Sequence, residues 1–388
     1  MKEPDWKEIF KEFHKDPELG FAEVNTSARI RRILDMIGIP YEDRGIKAGI
    51  AATVKGNGTS GQRVGLRADI DALPIREESG LEWSSENPGV MHACGHDFHI
   101  VTALAAAYYL SEKTDQVEGD IVILFQPGEE AFDGAKNLIA SGLSDGLDEI
   151  YALHVDPSLD AGHVSVLKGP VAAAVDRFRY VVKGAGTHAA TPEYGRNPIP
   201  VLTDLIGELK DIYEEIKKKE DHKSTVSFTR LYAGETWNVI PSEALAEGTV
   251  RTLDERQRAL IRDEFAKKVS AVEEREKIKI VTEWQSGSPV VENDPDLAMR
   301  ALKVLHDMSG YDTIYREATG KEAEMTGDDF SYYTKEGPVP KSLYIRYGTG
   351  KGPSLHDPRF AVDPGLIEDA ARFMAEVLSD AVKQERTD

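Results

Sequence analysis

The sequence predicts an α/β layered domain interrupted by a smaller α+β domain. Strand-like and helix-like segments alternate through the first half of the chain. Between residues 175 and 286 the order changes to strand–helix–strand, twice over. The length, 388 residues, is enough for two domains and a large core.

The elements follow in order. AEVNTSARIRRILDMI (22–37) carries apolar residues at helical spacing. GIAATVKG (49–56) and RVGLRADIDAL (63–73) read as strands. DFHIVTALAAAYYLSEK (97–113) reads as a helix with Asp97 near its start, where an acidic residue suits the helix dipole. GDIVILFQP (119–127) is a buried strand, AKNLIASGL (135–143) a helix and EIYALHV (149–155) another apolar strand. Then come DRFRYVVKGAG (176–186), the long amphipathic helix 198–219, STVSFTRLYAG (224–234), EALAEGTVRT (243–252), a second long helix at 254–275 and KIKIVTEWQSG (277–287). That βαββαβ order predicts a ferredoxin-like sheet with two helices on one face. DPDLAMRALKVLHDM (294–308) begins a helix, and the α/β pattern resumes to the C-terminus. The expected division is 1–174 and 287–388 for the outer domain, with 175–286 inserted.

Composition narrows the function. A net charge of −21 argues against nucleic acid and anionic membranes as partners. No apolar run approaches the ~18 residues of a membrane span. The N-terminal MKEPDWKEIF has no signal-peptide core, and one cysteine makes no internal disulfide, so the expected location is cytoplasmic.

That single cysteine, Cys94, lies in MHACGHDFHI with His92, His96 and His99. Thiolate and imidazole bind borderline metals well, although a lone C-x-H is more often no metal site. Gly95 lets the backbone turn tightly just before a helix. His99, one turn on, suits a hydrogen-bonded helix histidine better than a ligand. Glu129 and Glu130 follow a strand too apolar to lie on a surface, and strand ends of α/β sheets are where ligands bind. One glutamate can hold a metal while its neighbour faces a water, the division that metal-assisted hydrolysis needs. His154 closes an apolar strand, and His356 sits in a Gly/Pro-rich segment. His14, His163, His222 and His306 have no comparable setting. Asp69 and Asp71, two apart, belong on one face of their strand and need partners there, such as a metal-bound histidine.

Together these motifs resemble the dinuclear-metal amidohydrolases related to aminoacylase and carboxypeptidase G. The similar branch contains hippurate hydrolase, the indole-acetyl-amino-acid hydrolases and N-acetyl-diaminopimelate deacetylase. The resemblance runs in order through FHKDPELGFAE, LRADIDALP, MHACGHDFH, QPGEEAFDGA, ALHVDP, GTHAATPEYGRNPI, NVIPSEALAEGTVRT, GDDFSYY and SLHDPRF. Asp16 and Asp328 depart from the residues usual at their positions, and so does the helix of the inserted domain.

The resemblance implies a metallopeptidase-like catalytic domain and an inserted lid and dimerisation domain. It implies two divalent ions (manganese, zinc, cobalt or nickel) on Cys94, His96, Glu130, His154 and His356, with Cys94 bridging. Asp71 would support a ligand, Glu129 would act as general base and acid, and His188 would stabilise the oxyanion in the other subunit of a homodimer. Asn238 and Arg251 would contact the substrate carboxylate. The implied reaction is hydrolysis of a small N-acyl, above all N-acetyl, amino acid. The rivals are a dipeptidase or carboxypeptidase on the same site, a metal-containing binding protein without catalysis, and a structural metal site. A structural site favours closed sulfur/nitrogen sets, unlike these spread ligands.

Overall fold

The computed structural model describes residues 3–56, 60–220, 223–308 and 323–383. They fall into two compact units. One takes in the chain up to Gly169, the segment resuming at Glu292 and the C-terminal part from Asp329. The other takes in Pro170–Val291 and a stretch ending at Asp328.

In the first unit, the described strands form a seven-stranded sheet. Its order is Tyr41–Glu42, Ile50–Lys55, Asp120–Gln126, Arg63–Asp69, Glu149–Asp156, Lys341–Gly348 and Val164–Ser165. The four strands from Asp120–Gln126 to Lys341–Gly348 are mutually parallel. Parallel strands covered on both faces read as continuous apolar runs, which is why DIVILFQ and EIYALHVD show no alternation. Their carboxyl ends line one edge of the sheet, the usual ligand edge of such folds.

The helix His96–Ser111 is buried along nearly its whole length and packs against the helices Ile367–Ala381 and Trp6–Lys15. Ala103, Ala105, Ala106 and Ala107 let those neighbours approach closely. The Trp6–Lys15 helix is not anticipated by the pattern above. Asp5 caps it by accepting from the Glu8 N–H at 3.2 Å, and Trp6, Ile9, Phe10 and Phe13 make a buried stripe. A second difference concerns the acidic pair. The strand stops at Asp69, so Asp71 lies beyond it and the two do not share a strand face. No described helix is long and apolar enough to cross a membrane.

The second unit carries an antiparallel four-stranded sheet in the order Ser224–Ala233, Glu243–Thr252, Ala174–Lys183, Lys279–Ser286. Its helices, Pro198–Lys219 and Glu255–Glu276, pack against each other. Asn197 caps the first through the Ile199 N–H, and Asp254 caps the second through the Arg256 and Gln257 N–H groups. Leu202, Leu205, Leu209, Ile261 and Phe265 close over Phe178, Tyr180 and Val182. Position 248 must be glycine, because a Cβ there would lie 2.3 Å from Phe178 Cζ.

Where the chain enters and leaves this unit, the two segments run side by side. The Val175 N–H donates to Ser288 O at 3.0 Å and the Gly287 N–H to Val175 O at 2.8 Å. Buried Asp176 accepts from Arg258 Nε at 3.1 Å and from Trp284 Nε1 at 3.1 Å, while Arg258 Nη2 reaches Gly287 O at 2.9 Å.

Candidate active site

The carboxyl edge of the parallel strands gathers the candidate ligands. Glu129 and Glu130 follow the strand Asp120–Gln126, His154 lies near the end of Glu149–Asp156, and His356 follows Lys341–Gly348. Gly95, at φ 78°, separates Cys94 from His96, the first residue of its helix. A Cβ at Gly95 would stand 2.5 Å from Val155 Cγ2, so the Cys–Gly–His turn rests on the strand that carries His154.

Ligand atoms of Cys94, Glu130 and His356 lie within 4.8 Å of one another, as do those of His96, Glu129 and Glu130. Cys94 Sγ is 3.7 Å from His154 Nε2, and His356 Nε2 is 3.2 Å from Glu130 Oε1. His356 adopts φ 65°, unusual for a side chain with a Cβ, and its N–H donates to Ala93 O at 2.9 Å. That bond ties the loop of His356 beside Cys94.

Hydrogen bonds fix which imidazole nitrogen faces the cluster. His154 Nδ1 lies 2.8 Å from Val155 O, and His96 Nδ1 lies 2.9 Å from Asp71 O and 3.2 Å from Asp71 Oδ1. Carbonyl and carboxylate oxygens only accept, so both Nδ1 atoms carry a proton, and Nε2 is the atom of each ring left to face a metal. His96 Nε2 is buried and makes no hydrogen bond among the described residues; Asp69 Oδ2 is 3.6 Å away. Asp71 Oδ2 accepts from the Glu130 N–H at 3.0 Å, so one carboxylate orients two candidate ligands. Burial works against a charge on Cys94. The neighbouring His96 and hydrogen bonds with His154 and His356 outweigh it and bring the thiol pKa down to about 6. A thiolate, imidazoles with Nε2 turned towards the cluster and a carboxylate fit divalent metal ions of the zinc and manganese type.

Two supporting residues belong to the opening motif. Buried Glu23 accepts from the Gly128 N–H at 2.8 Å and so fixes the turn before Glu129; burial pushes its pKa up to about 7. His14, to which the sequence gives no special setting, proves to be buried between two carboxylates. Its Nδ1 is 2.6 Å from Asp97 Oδ2 and its Nε2 3.2 Å from Glu77 Oε1. Burial disfavours the imidazolium, but Asp97 and Glu77 outweigh it and lift its pKa to about 10. The cation thereby anchors the first turn of the helix that begins at His96. His99 is hydrogen-bonded through both nitrogens, to Asp69 and to the Val155 N–H. His222 lies outside the described residues.

The remaining candidates are in the second unit. His188 pairs with Val239 in a short ribbon, Thr187–His188 against Val239–Ile240, and the Ala189 N–H donates to Asn238 O at 3.0 Å. This ribbon brings His188 and Asn238 together. The Ala190 N–H donates to His188 Nδ1 at 3.0 Å, which places the ring proton on Nε2. Arg251, on the strand Glu243–Thr252, donates from Nη1 to Met325 O at 2.9 Å.

The sequence profile of peptidase family M20/M25/M40 matches residues 65–380. The chain belongs to this family. An N-acetyl-L-cysteine deacetylase of Bacillus subtilis is similar to this M20 protein, with 35% identity over 368 residues, 95% of this chain and 86% of the relative. Thermostable carboxypeptidase 2 of Saccharolobus solfataricus is 32% identical over 380 residues, 94% of this chain and 92% of the relative. A solved Bacillus subtilis structure, described as a dinuclear metal binding peptidase from the M20 family, superposes with a TM-score of 0.84. It has 31% identity and covers 97% of this chain and 98% of that one. The M20 protein is therefore a hydrolase with a cluster of potential metal ligands at the carboxyl edge of its sheet.

Proposed function

We propose that this M20 protein hydrolyses the amide bond of N-acyl, above all N-acetyl, amino acids. One observation carries the reading. Glu130 stands with Cys94 and His356, while adjacent Glu129 is buried within 4.8 Å of Glu130 and His96. Such a pair divides the labour between holding a metal and moving a proton. The deacetylase relative supports the substrate class.

Cys94, His96, Glu130, His154 and His356 would hold two divalent ions per subunit: manganese, zinc, cobalt or nickel. When bound, such ions supply Lewis acidity that polarises an amide carbonyl and makes water acidic enough to attack near neutral pH. Glu129 takes the water's proton and passes it to the leaving amine. His188, with its proton on Nε2, donates a hydrogen bond to the carbonyl oxygen as negative charge grows there. Asn238 and Arg251 hold the substrate carboxylate, Arg251 by a charge-assisted pair. The inserted domain, residues 175–286, serves as lid and dimer surface of a cytoplasmic homodimer, so that each His188 acts in the neighbouring subunit's site.

Two experiments test this. Apo-protein given each of the four metals is assayed for amine release from N-acetyl amino acids and from dipeptides. Faster turnover of the N-acetyl series is expected. Preference for dipeptides would favour the second reading, a peptidase on the same site, which the carboxypeptidase relative supports. Two bound ions with turnover of neither series would leave a binding protein. Mixed dimers of His188→Ala and Glu129→Gln chains should regain up to half of wild-type activity, because one site receives both defects and the other neither. Inactive mixed dimers would remove the shared site.

A further inference from the structure

His99 belongs to a group that looks like a ligand set: atoms of Asp69, His96, His99 and His154 lie within 4.8 Å of one another. The hydrogen bonds exclude that use. The Val155 N–H donates to His99 Nε2 at 3.0 Å, and a backbone N–H can only donate, so Nε2 is an acceptor and the ring proton is on Nδ1. Nδ1 lies 2.6 Å from Asp69 Oδ1, while Asp69 Oδ2 accepts from Arg67 Nη1. Both ring nitrogens and both carboxylate oxygens are committed. Arg67 is held in turn by Gln126 Oε1 at 3.0 Å and Asp329 Oδ1 at 2.8 Å.

His99 takes the backbone where the neighbouring strand Arg63–Asp69 lets go of it, while Lys341–Gly348 stays paired on the other side. The strand Arg63–Asp69 pairs with Glu149–Asp156 only as far as Arg67 opposite Ala152. Three residues further on, His99 supplies the acceptor for the Val155 N–H, and His154 Nδ1 donates to the Val155 carbonyl. The rings of His99 and His154 pack with centroids 4.6 Å apart. The Val155 side chain also supports Gly95, between Cys94 and His96. Val155 is thus the point on which three candidate ligands are registered.

We propose that His99 is a positioning residue that sets the place of the ligand His154 by holding the Val155 backbone, with Asp69 fixing its tautomer. The proposal rests on His154 being a ligand. It makes unequal predictions for two amides. His99→Gln can keep an oxygen near the Nε2 position and so hold the Val155 N–H. His99→Asn can keep only the donor to Asp69.

Apo forms of the wild type, both amide variants and His99→Leu are titrated with cobalt(II). Affinity is read calorimetrically and coordination from the visible spectrum. His99→Asn and His99→Leu should bind cobalt roughly 10–100-fold more weakly at one site, the usual cost of losing a group that orients a ligand. At saturation their spectra should match the wild type, and His99→Gln should recover most of the affinity. A saturated spectrum that changes in every variant would make His99 a ligand and overturn the proposal. Lower melting temperatures with unchanged cobalt affinity would overturn it as well, as would equal losses in the Gln and Asn variants. His154→Ala separates the underlying reading: wild-type stoichiometry and affinity there would show that His154 is not a ligand, whatever His99 does.

Discussion

The candidate metal ligands and the candidate substrate contacts are built in opposite ways. In the first unit, His96, Glu130, His154 and His356 each have a neighbour that fixes a nitrogen, a peptide N–H or a backbone angle. In the second unit, His188 has one nitrogen held by the Ala190 N–H of its own turn but is exposed on a two-residue ribbon, and Arg251 has a backbone carbonyl as its hydrogen-bond acceptor. Ions demand donors at set distances and angles, so their ligands must be ordered in advance. Groups that meet a departing substrate need reach and exposure. Substitutions in the first unit should therefore change metal occupancy or chemistry, and those in the second should change substrate selection.

The largest effect that sharpens this contrast is at Glu129. Glu129→Gln keeps the shape and removes the base, so turnover should fall at least ~10²-fold with metal content unchanged by elemental analysis. Loss of metal with the fold intact would exchange the roles of Glu129 and Glu130. Next is Cys94→Ser. An alcohol is a harder and far less acidic donor than a thiol, so purified protein should hold less metal. Full metal content with full activity would remove the bridging thiolate. On the other side, Arg251→Ala should lower kcat/KM for N-acyl amino acids roughly 10–100-fold, the worth of a charged hydrogen bond, and should spare their carboxamides. Equal losses on both would make Arg251 structural and break the comparison.

The smallest effect is on stability. The folded-state pKa of His14, about 10, lies above its ordinary 6.5, so the stabilisation is complete below pH 6.5 and lost as pH rises towards 10. The advantage of the wild type over His14→Gln in urea unfolding should shrink across that window. A constant difference would mean that the imidazolium contributes nothing.

What the sequence makes legible is chemistry that needs a particular residue type at a strand end. Cys94, His96, Glu130 and His154 are each ambiguous alone and stand out only when the motifs are read together and in order. The βαββαβ order is legible because long amphipathic helices and alternating strands leave periodic signals, as in 198–219 and 243–252. Pairings distant in the chain leave none. Nothing near His14 announces Asp97, and nothing near Glu23 announces the Gly128 N–H. The same holds for His99, on a helix, whose partners Asp69 and Val155 come from two separate strands. The Trp6–Lys15 helix is a different case: its cap and stripe are present in DWKEIFKEF, close to the charged N-terminus.

The side-by-side entry and exit at Val175 and Ser288 bear on how the chain folds. To the outer domain an unfolded insert is a tether of over a hundred residues, whereas the folded insert is a link scarcely longer than a hairpin turn. Closing a loop costs about 0.6 kcal/mol for each doubling of its length, so folding the insert first relieves the outer domain of about 3 kcal/mol of chain entropy. Asp176 and Arg258, remote in sequence from every proposed ligand, would in this way bear on how readily the part of the chain that carries the candidate ligands assembles.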